Sequence, residues 1–207
     1  MKLLGTNTSP YVRKARLVLL EKHIPHEYLI DAPREPGSQV ARANPLGRIP
    51  ALILDDETCV YDSPVIAEYA DTLNDAPILI PRNDALARMR VKRWEALADG
   101  IMDSAVVVRT ESIRPQEKQE PDNITRHNEA ITRALSFAAE QLGQNEWCHH
   151  EPGKAASITL ADLALASALI YLNLRQPERD WRGAHANLAA WFARVSKRDS
   201  VRATLAE

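Results

Sequence analysis

The stretch Asn44-Pro45-Leu46-Gly47-Arg48-Ile49-Pro50-Ala51-Leu52 decides how this chain reads. Pro50 stands directly before an apolar run with strand character, and proline is tolerated as the first residue of a strand. It also follows Ile49 across an X-Pro bond, the kind of peptide bond whose cis form costs little. A cis Ile49–Pro50 bond turns the Ile49 backbone groups outward, where an extended peptide can pair with them like an added strand. The plainer alternative is an ordinary turn that ends where a strand begins.

On either side of that stretch, strand and helix signals alternate. Residues 2–5 form a short apolar entry strand. Residues 10–23 carry Val12, Ala15, Val18 and Leu19 at helical spacing. Residues 26–30 read as a strand and 38–43 as a short helix. Residues 51–54 and 58–61 read as two strands around the turn Asp55-Asp56-Glu57. Residues 63–73 place Val65, Ile66, Tyr69 and Leu73 at core spacing on a helix. The order is β-α-β-α-β-β-α. A linker broken by Pro77 and Pro81 follows. Beyond it the patterns are helical, over 85–113 with a kink expected near Gly100, then 122–142 ending at Gly143, then 159–174 and 188–196. The resulting division is a first domain over 1–77, a linker over 78–84 and an all-helical domain over 85–207.

Composition narrows the function classes. Apolar residues make up 45% of the 207, enough for a sizeable core, and the formal net charge is −2. With no basic surplus, neither nucleic acid nor an anionic membrane is expected as a partner. Two cysteines, Cys59 and Cys148, are too few for a disulfide framework. Free thiols in a reducing compartment, a start without a signal-peptide pattern and the lack of a spanning apolar run together predict a cytoplasmic protein. Cys148-His149-His150 has no second ligand group at metal spacing, so no metal is expected. Arg13, Lys14 and Arg16 read as a solvated basic turn, and Trp94, Trp147, Trp181 and Trp191 as core or interface anchors.

Two further sites stand out. In Thr8-Ser9-Pro10-Tyr11, Ser9 is a preferred N-cap and Pro10 suits the first helical position. A strand running straight into a helix N-terminus is a ready anion site, and a thiolate is an anion. In Asp62-Ser63-Pro64, Ser63 can cap a second helix that Pro64 starts, and the exposed N–H groups there suit a carboxylate. Capping alone is the competing reading of both.

Together, TSPYVRK, NPLGRIPAL and DSPVIAEY resemble the glutathione-binding half of the glutathione S-transferase family, particularly its bacterial members. In the second half, Ser157-Ile158-Thr159-Leu160-Ala161-Asp162-Leu163 resembles that family's capping box. Thr159 and Asp162 sit at N-cap and N3, and Ile158 and Leu163 can form a hydrophobic staple. The box usually carries Glu or Gln at N3; Asp is shorter but serves.

The resemblance implies a thioredoxin-like first domain that binds glutathione as co-substrate, with no metal, and an all-helical second domain. It places Ser9, where thioredoxin-like proteins keep a Cys followed by Pro, against the glutathione sulfur, with Thr8 and Tyr11 as rival hydroxyls. It gives the backbone of Ile49, before Pro50, to the cysteinyl part, and Asp62 with Ser63 to the γ-glutamyl end. Many members have Glu where Asp62 stands, one methylene longer. Arg48 is a weaker match for holding the glycyl carboxylate. The expected activity is glutathione transfer to a small, mainly apolar electrophile in detoxification. The pocket expected for that electrophile has Asn7 and Tyr11 on one wall and Met102, Ser104, Val107 and Val108 on the other. A two-fold homodimer is expected. Two alternatives stay open: a non-catalytic binding or assembly module of the same fold, and a glutathione-dependent lyase, isomerase or dehalogenase.

The chemistry follows from the thiol. At an ordinary pKa of ~8.5 only about 3% of it is thiolate at pH 7. Lowering the pKa by roughly two units takes ~2.7 kcal/mol. One charge-assisted hydrogen bond supplies ~1.5–3 kcal/mol, and a helix N-terminus adds ~0.3–1. Ser9 therefore reads as a donor to the sulfur and not as a nucleophile, which would need a base beside it. With Ser in place of Cys, addition reactions are favoured over disulfide exchange.

Overall fold

The computed structural model describes residues 1–150 and 156–205. The elements run β1 (Lys2–Gly5), α1 (Pro10–Glu21), β2 (Glu27–Ile30), α2 (Val40–Ala43), β3 (Ala51–Ile53), β4 (Cys59–Val60) and α3 (Ser63–Thr72). There follow α4 (Ala85–Ser112), a 3-10 turn (Gln116–Lys118), α5 (Pro121–Leu142), α6 (Leu160–Arg175), α7 (Trp181–Ala184), α8 (Ala186–Val195) and α9 (Asp199–Leu205). The expected order is found, with boundaries shifted by up to two residues; α7, α9 and the 3-10 turn lacked a clear signal. α4 runs unbroken through Gly100.

The chain forms two compact units. One comprises residues 1–83 together with the C-terminal stretch from Lys197, and the other residues 84–196. The sequence division put that C-terminal stretch in the helical domain; here it belongs with the sheet, because α9 packs on α1.

In the first unit the sheet order is β2-β1-β3-β4, with β1 parallel to β2 and antiparallel to β3. Alternation of side chains across the strands builds two faces. Leu4 and Ala51 meet Val40 and Ala43 of α2, with Leu29, Ile49, Ile53 and Cys59 packed around them. Leu3 and Leu52, one step along, point to the other face and are also fully buried, as are Val12, Ala15, Ile66 and Ala70 of the mutually packed α1 and α3. Each such buried Leu or Ile is worth about 1.5–3 kcal/mol relative to exposure. Gly5 is required by this packing: a Cβ there would meet Val12 Cγ2 at 2.5 Å.

In the second unit α4 packs against α5 and α6. α6 is apolar on all sides and buried from Leu160 to Leu172, which marks it as the central helix. Asp84 caps α4 by accepting the Ala87 N–H at 2.9 Å. Trp94, Trp181 and Trp191 are buried, as anchors should be. Among the described residues no helix is long and apolar enough to cross a membrane.

Candidate functional site

The sheet register brings the three sequence-marked segments to one end. Leu4 pairs with Ala51, so β1 leaves the sheet toward Thr6–Ser9 where β3 enters it from Ile49–Pro50. β4 is antiparallel to β3, with Val60 beside Leu52, so it exits at that same end into Tyr61–Ser63. Distances of 40 and more residues along the chain are closed by two strand pairings.

The first segment is a turn into α1. The Ser9 N–H donates to the Thr6 carbonyl at 3.1 Å. Ser9 is the N-cap of α1 in extended conformation, and its Oγ accepts the Val12 N–H at 3.3 Å. Used as an acceptor toward the helix, the hydroxyl keeps its proton for donation. Ser9 is half-buried, Thr8 exposed and Tyr11 half-buried. Asn7 is held at both ends: its carbonyl accepts from Arg13 Nη2 at 3.0 Å, and its Oδ1 from the Tyr28 hydroxyl at 2.8 Å.

The second segment is braced by Asn44, which is fully buried. Its Nδ2 donates to the Arg48 carbonyl at 2.9 Å, and its Oδ1 accepts the Leu46 N–H at 3.0 Å. Gly47 sits at φ +62, a left-handed conformation that side chains rarely adopt. The Ile49–Pro50 bond is cis. Ile49 packs its side chain into the α2 cluster, Pro50 is buried and Arg48 is exposed.

The third segment corrects the sequence reading by one residue. Asp62, not Ser63, is the N-cap of α3, through its backbone: its carbonyl accepts the Ile66 N–H at 3.0 Å while its side chain makes no capping bond. Ser63 is then the first helical residue, 2% exposed, and Pro64 the second. Pro64 tolerates either cap, since it falls in the first turn in both cases. The Asp62 carboxylate is exposed at the helix mouth. The Tyr61–Asp62 bond is cis as well.

On α4, Met102, Ser104 and Val108 are buried and Val107 is half-buried. Cys148 is buried too; its backbone N–H donates to Asp162 at 2.8 Å, and burial pushes its thiol well above the ordinary value.

The basic turn of α1 is not a solvated face. Arg13 is 7% exposed, Lys14 0% and Arg16 8%. Arg16 lies 4.1 Å over the Tyr28 ring, which in turn holds Asn7. The signal was in the spacing: Arg13 is four residues after Ser9 and so shares its helix face.

Residues 8–73 match the family model for the glutathione S-transferase N-terminal domain, and residues 121–194 that for its C-terminal domain. The chain is 38% identical over 204 residues to the uncharacterized GST-like protein YibF of Escherichia coli (strain K12), covering 99% of this chain and 98% of that one. A crystal structure of glutathione S-transferase from Methylobacillus flagellatus KT with GSH bound has a TM-score of 0.93 and 41% identity, covering 98% of each chain. Elongation factor 1-gamma of Homo sapiens is 27% identical over 186 residues, which span 88% of this chain and 39% of that protein. Two domain models in the right order, with YibF and the Methylobacillus flagellatus protein matched along nearly their whole length, establish that this chain belongs to the glutathione S-transferase family.

Proposed function

We propose that this protein binds glutathione at the end of its sheet and activates the thiol for attack on a small, mainly apolar electrophile. The observation that carries this is Ser9: a hydroxyl at the N-terminus of α1, at the same sheet end as Ile49–Pro50 and Asp62–Ser63. In this reading Ser9 donates to the thiolate, and the N-terminus of α1 adds its positive dipole. The Ile49 backbone pairs with the cysteinyl unit. The exposed Asp62 carboxylate takes the γ-glutamyl ammonium, and Ser63 the carboxylate beside it. Arg48 faces the glycyl carboxylate. The GSH-bound relative, at 41% identity, supports the choice of ligand. No step needs a metal.

The active protein is a two-fold homodimer in this proposal. α3 exposes Val65 and Leu73, and α4 exposes Leu86 and Met89, apolar side chains suited to a partner surface. Sedimentation at micromolar concentration should give twice 23.1 kDa; a lone 23.1 kDa species rejects the dimer.

The test of the function is glutathione itself. A hundredfold excess over Kd stabilises a native protein by ~2.7 kcal/mol. For a chain of this size that raises Tm by roughly 5–10 °C. An unchanged Tm in millimolar glutathione rejects the proposal. The likeness to elongation factor 1-gamma favours a second reading, a binding or assembly module. That reading predicts no Tm rise with glutathione for a pure assembly module, and for a glutathione-binding one a rise without a lowered thiol pKa or turnover of any electrophile.

A further inference from the structure

We propose that Arg13 is a positioning residue for Ser9 and that the C-terminal helix α9 sets its aim; this rests on the glutathione-activating role of Ser9 proposed above. The guanidinium of Arg13 reaches in two directions. Its Nη2 donates to the Asn7 carbonyl at 3.0 Å and to the Thr204 carbonyl at 3.1 Å, the latter 191 residues away in sequence. The backbone N–H of the same residue donates to the Ser9 carbonyl at 3.0 Å, the ordinary bond of the first helical turn. The side chain therefore grips the thiol loop at position 7, two residues before Ser9, and ties it to the end of the chain.

The tie is chemically apt. Thr204 lies in the last turn of α9, where carbonyls lack intrahelical partners and carry negative partial charge. Both bonds leave one nitrogen, Nη2, whose two hydrogens serve one carbonyl each. α9 is itself anchored at the far end of α1. Arg198 donates to Glu21 through Nε at 2.7 Å and Nη2 at 2.6 Å, and the Ser200 hydroxyl bonds the same carboxylate. The clamp thus runs from Glu21, along α9, through Arg13 to Asn7. Asn7 is pinned from the opposite side by Tyr28.

The consequence is functional because a hydrogen bond to sulfur depends on placement. A misplacement of about 1 Å costs up to roughly a hundredfold in rate. Arg13 touches no reacting atom; it acts by fixing where the Ser9 hydroxyl points.

The experiment uses full-length protein and reads the ultraviolet thiolate absorbance of bound glutathione against pH. In Arg13→Met the midpoint should rise by about one unit, and turnover at pH 6.5 should fall about tenfold and recover above pH 8.5. Affinity for glutathione should change less than about threefold, because Ile49, Asp62 and Ser63 lie on other segments. Arg198→Met, remote from the loop, should shift the midpoint the same way by a smaller amount. Amide hydrogen exchange without glutathione should speed up at Ser9, Val12 and α9 in both variants, while β1 stays protected. Should Arg13→Met fail to fold, Arg13→Lys and Arg198→Met carry the test, and the lysine should fall between wild type and methionine. A lower Tm with an unmoved midpoint and wild-type turnover overturns the inference, leaving Arg13 merely structural. A wild-type midpoint near that of free glutathione overturns the function proposed for Ser9 instead, and unchanged amide exchange in Arg13→Met then overturns the tie on its own.

Discussion

The indole N–H of Trp191 donates to Oδ1 of Asp162 at 3.1 Å, joining α8 to the first turn of α6 through a carboxylate with no solvent exposure. The same oxygen accepts the Cys148 N–H at 2.8 Å, and Oδ2 accepts the Thr159 N–H at 2.9 Å and hydroxyl at 3.0 Å. The capping box is therefore a hub that gathers three segments of the helical unit. Asp162→Ala strands at least three buried N–H donors, each worth about 1–3 kcal/mol. The expected loss is no less than about 3 kcal/mol. Urea unfolding of Asp162→Ala against wild type measures this; a loss of about 1 kcal/mol, that of a single donor, would mean that the carboxylate is no hub.

Two buried carboxylates should give opposite pH signatures. Burial raises the pKa of Asp162, with its hydrogen bonds pulling the other way. Its folded state holds the proton more tightly, so its contribution falls as pH rises from the unfolded value through the folded one. Burial also pushes Glu21 up, but the bonds from Arg198 and Ser200 prevail and its pKa ends lowered. Its contribution is present above the unfolded value of about 4.5 and is lost as pH falls through the folded one. Wild type should therefore exceed Glu21→Gln in stability at pH 7, and the gap should close on acidification. A gap that stays constant from pH 7 to 3 in urea titrations rejects this.

Lys22 is fully buried and gathers the end of α3. Its Nζ donates to the carbonyls of Asp71 at 3.0 Å, Asn74 at 2.9 Å and Pro77 at 2.7 Å, and lies 3.3 Å from the Asp71 carboxylate. Lys22→Met keeps the length but leaves Asp71 buried without its cation. A broken buried pair costs about 3–5 kcal/mol. Double replacement with Asp71→Asn should restore part of it, a coupling that a double-mutant cycle detects. Strict additivity would refute the coupling.

For Ser9 the expected effect separates chemistry from folding. Ser9→Ala removes a charge-assisted bond of ~1.5–3 kcal/mol to the thiolate. The bound thiol's pKa should rise by about one to two units, and neutral-pH turnover should fall roughly ten- to a hundredfold. It also removes the cap on Val12, at ~1 kcal/mol, so the variant should melt lower. Thr8→Ala and Tyr11→Phe serve as comparisons. A wild-type midpoint in folded Ser9→Ala, with a shift in either comparison, transfers the role to that neighbour.

Legibility followed the range of the interaction. Ser9-Pro10 and Thr159-x-x-Asp162 declare themselves because caps are local: donor and acceptor lie within three or four residues. Asp62-Ser63-Pro64 marks a helix start, but its cap is a backbone one and falls one residue earlier than the side chains suggest. The strands were legible from apolar character and flanking turns. α9 was not, since a seven-residue helix is marginal on its own and forms here with its docking on Glu21 and Arg13. Lys14 and Lys22 went unrecognised as buried because lysine is almost never fully buried unless paired, and the Asp71 partner of Lys22 lies 49 residues away.

The sequence by itself determined the order of elements apart from α7, α9 and the 3-10 turn, the N-terminus of α1, that of α3 to within one residue, and the X-Pro bond at Ile49, all set by backbone preference and side chains close in the chain. Tertiary structure alone decided that three separate segments share one sheet end, that Arg13 faces inward and that the last helix joins the first unit. Strand register and burial are settled by which distant apolar and charged groups satisfy one another, and that choice is made only once the chain has closed on itself.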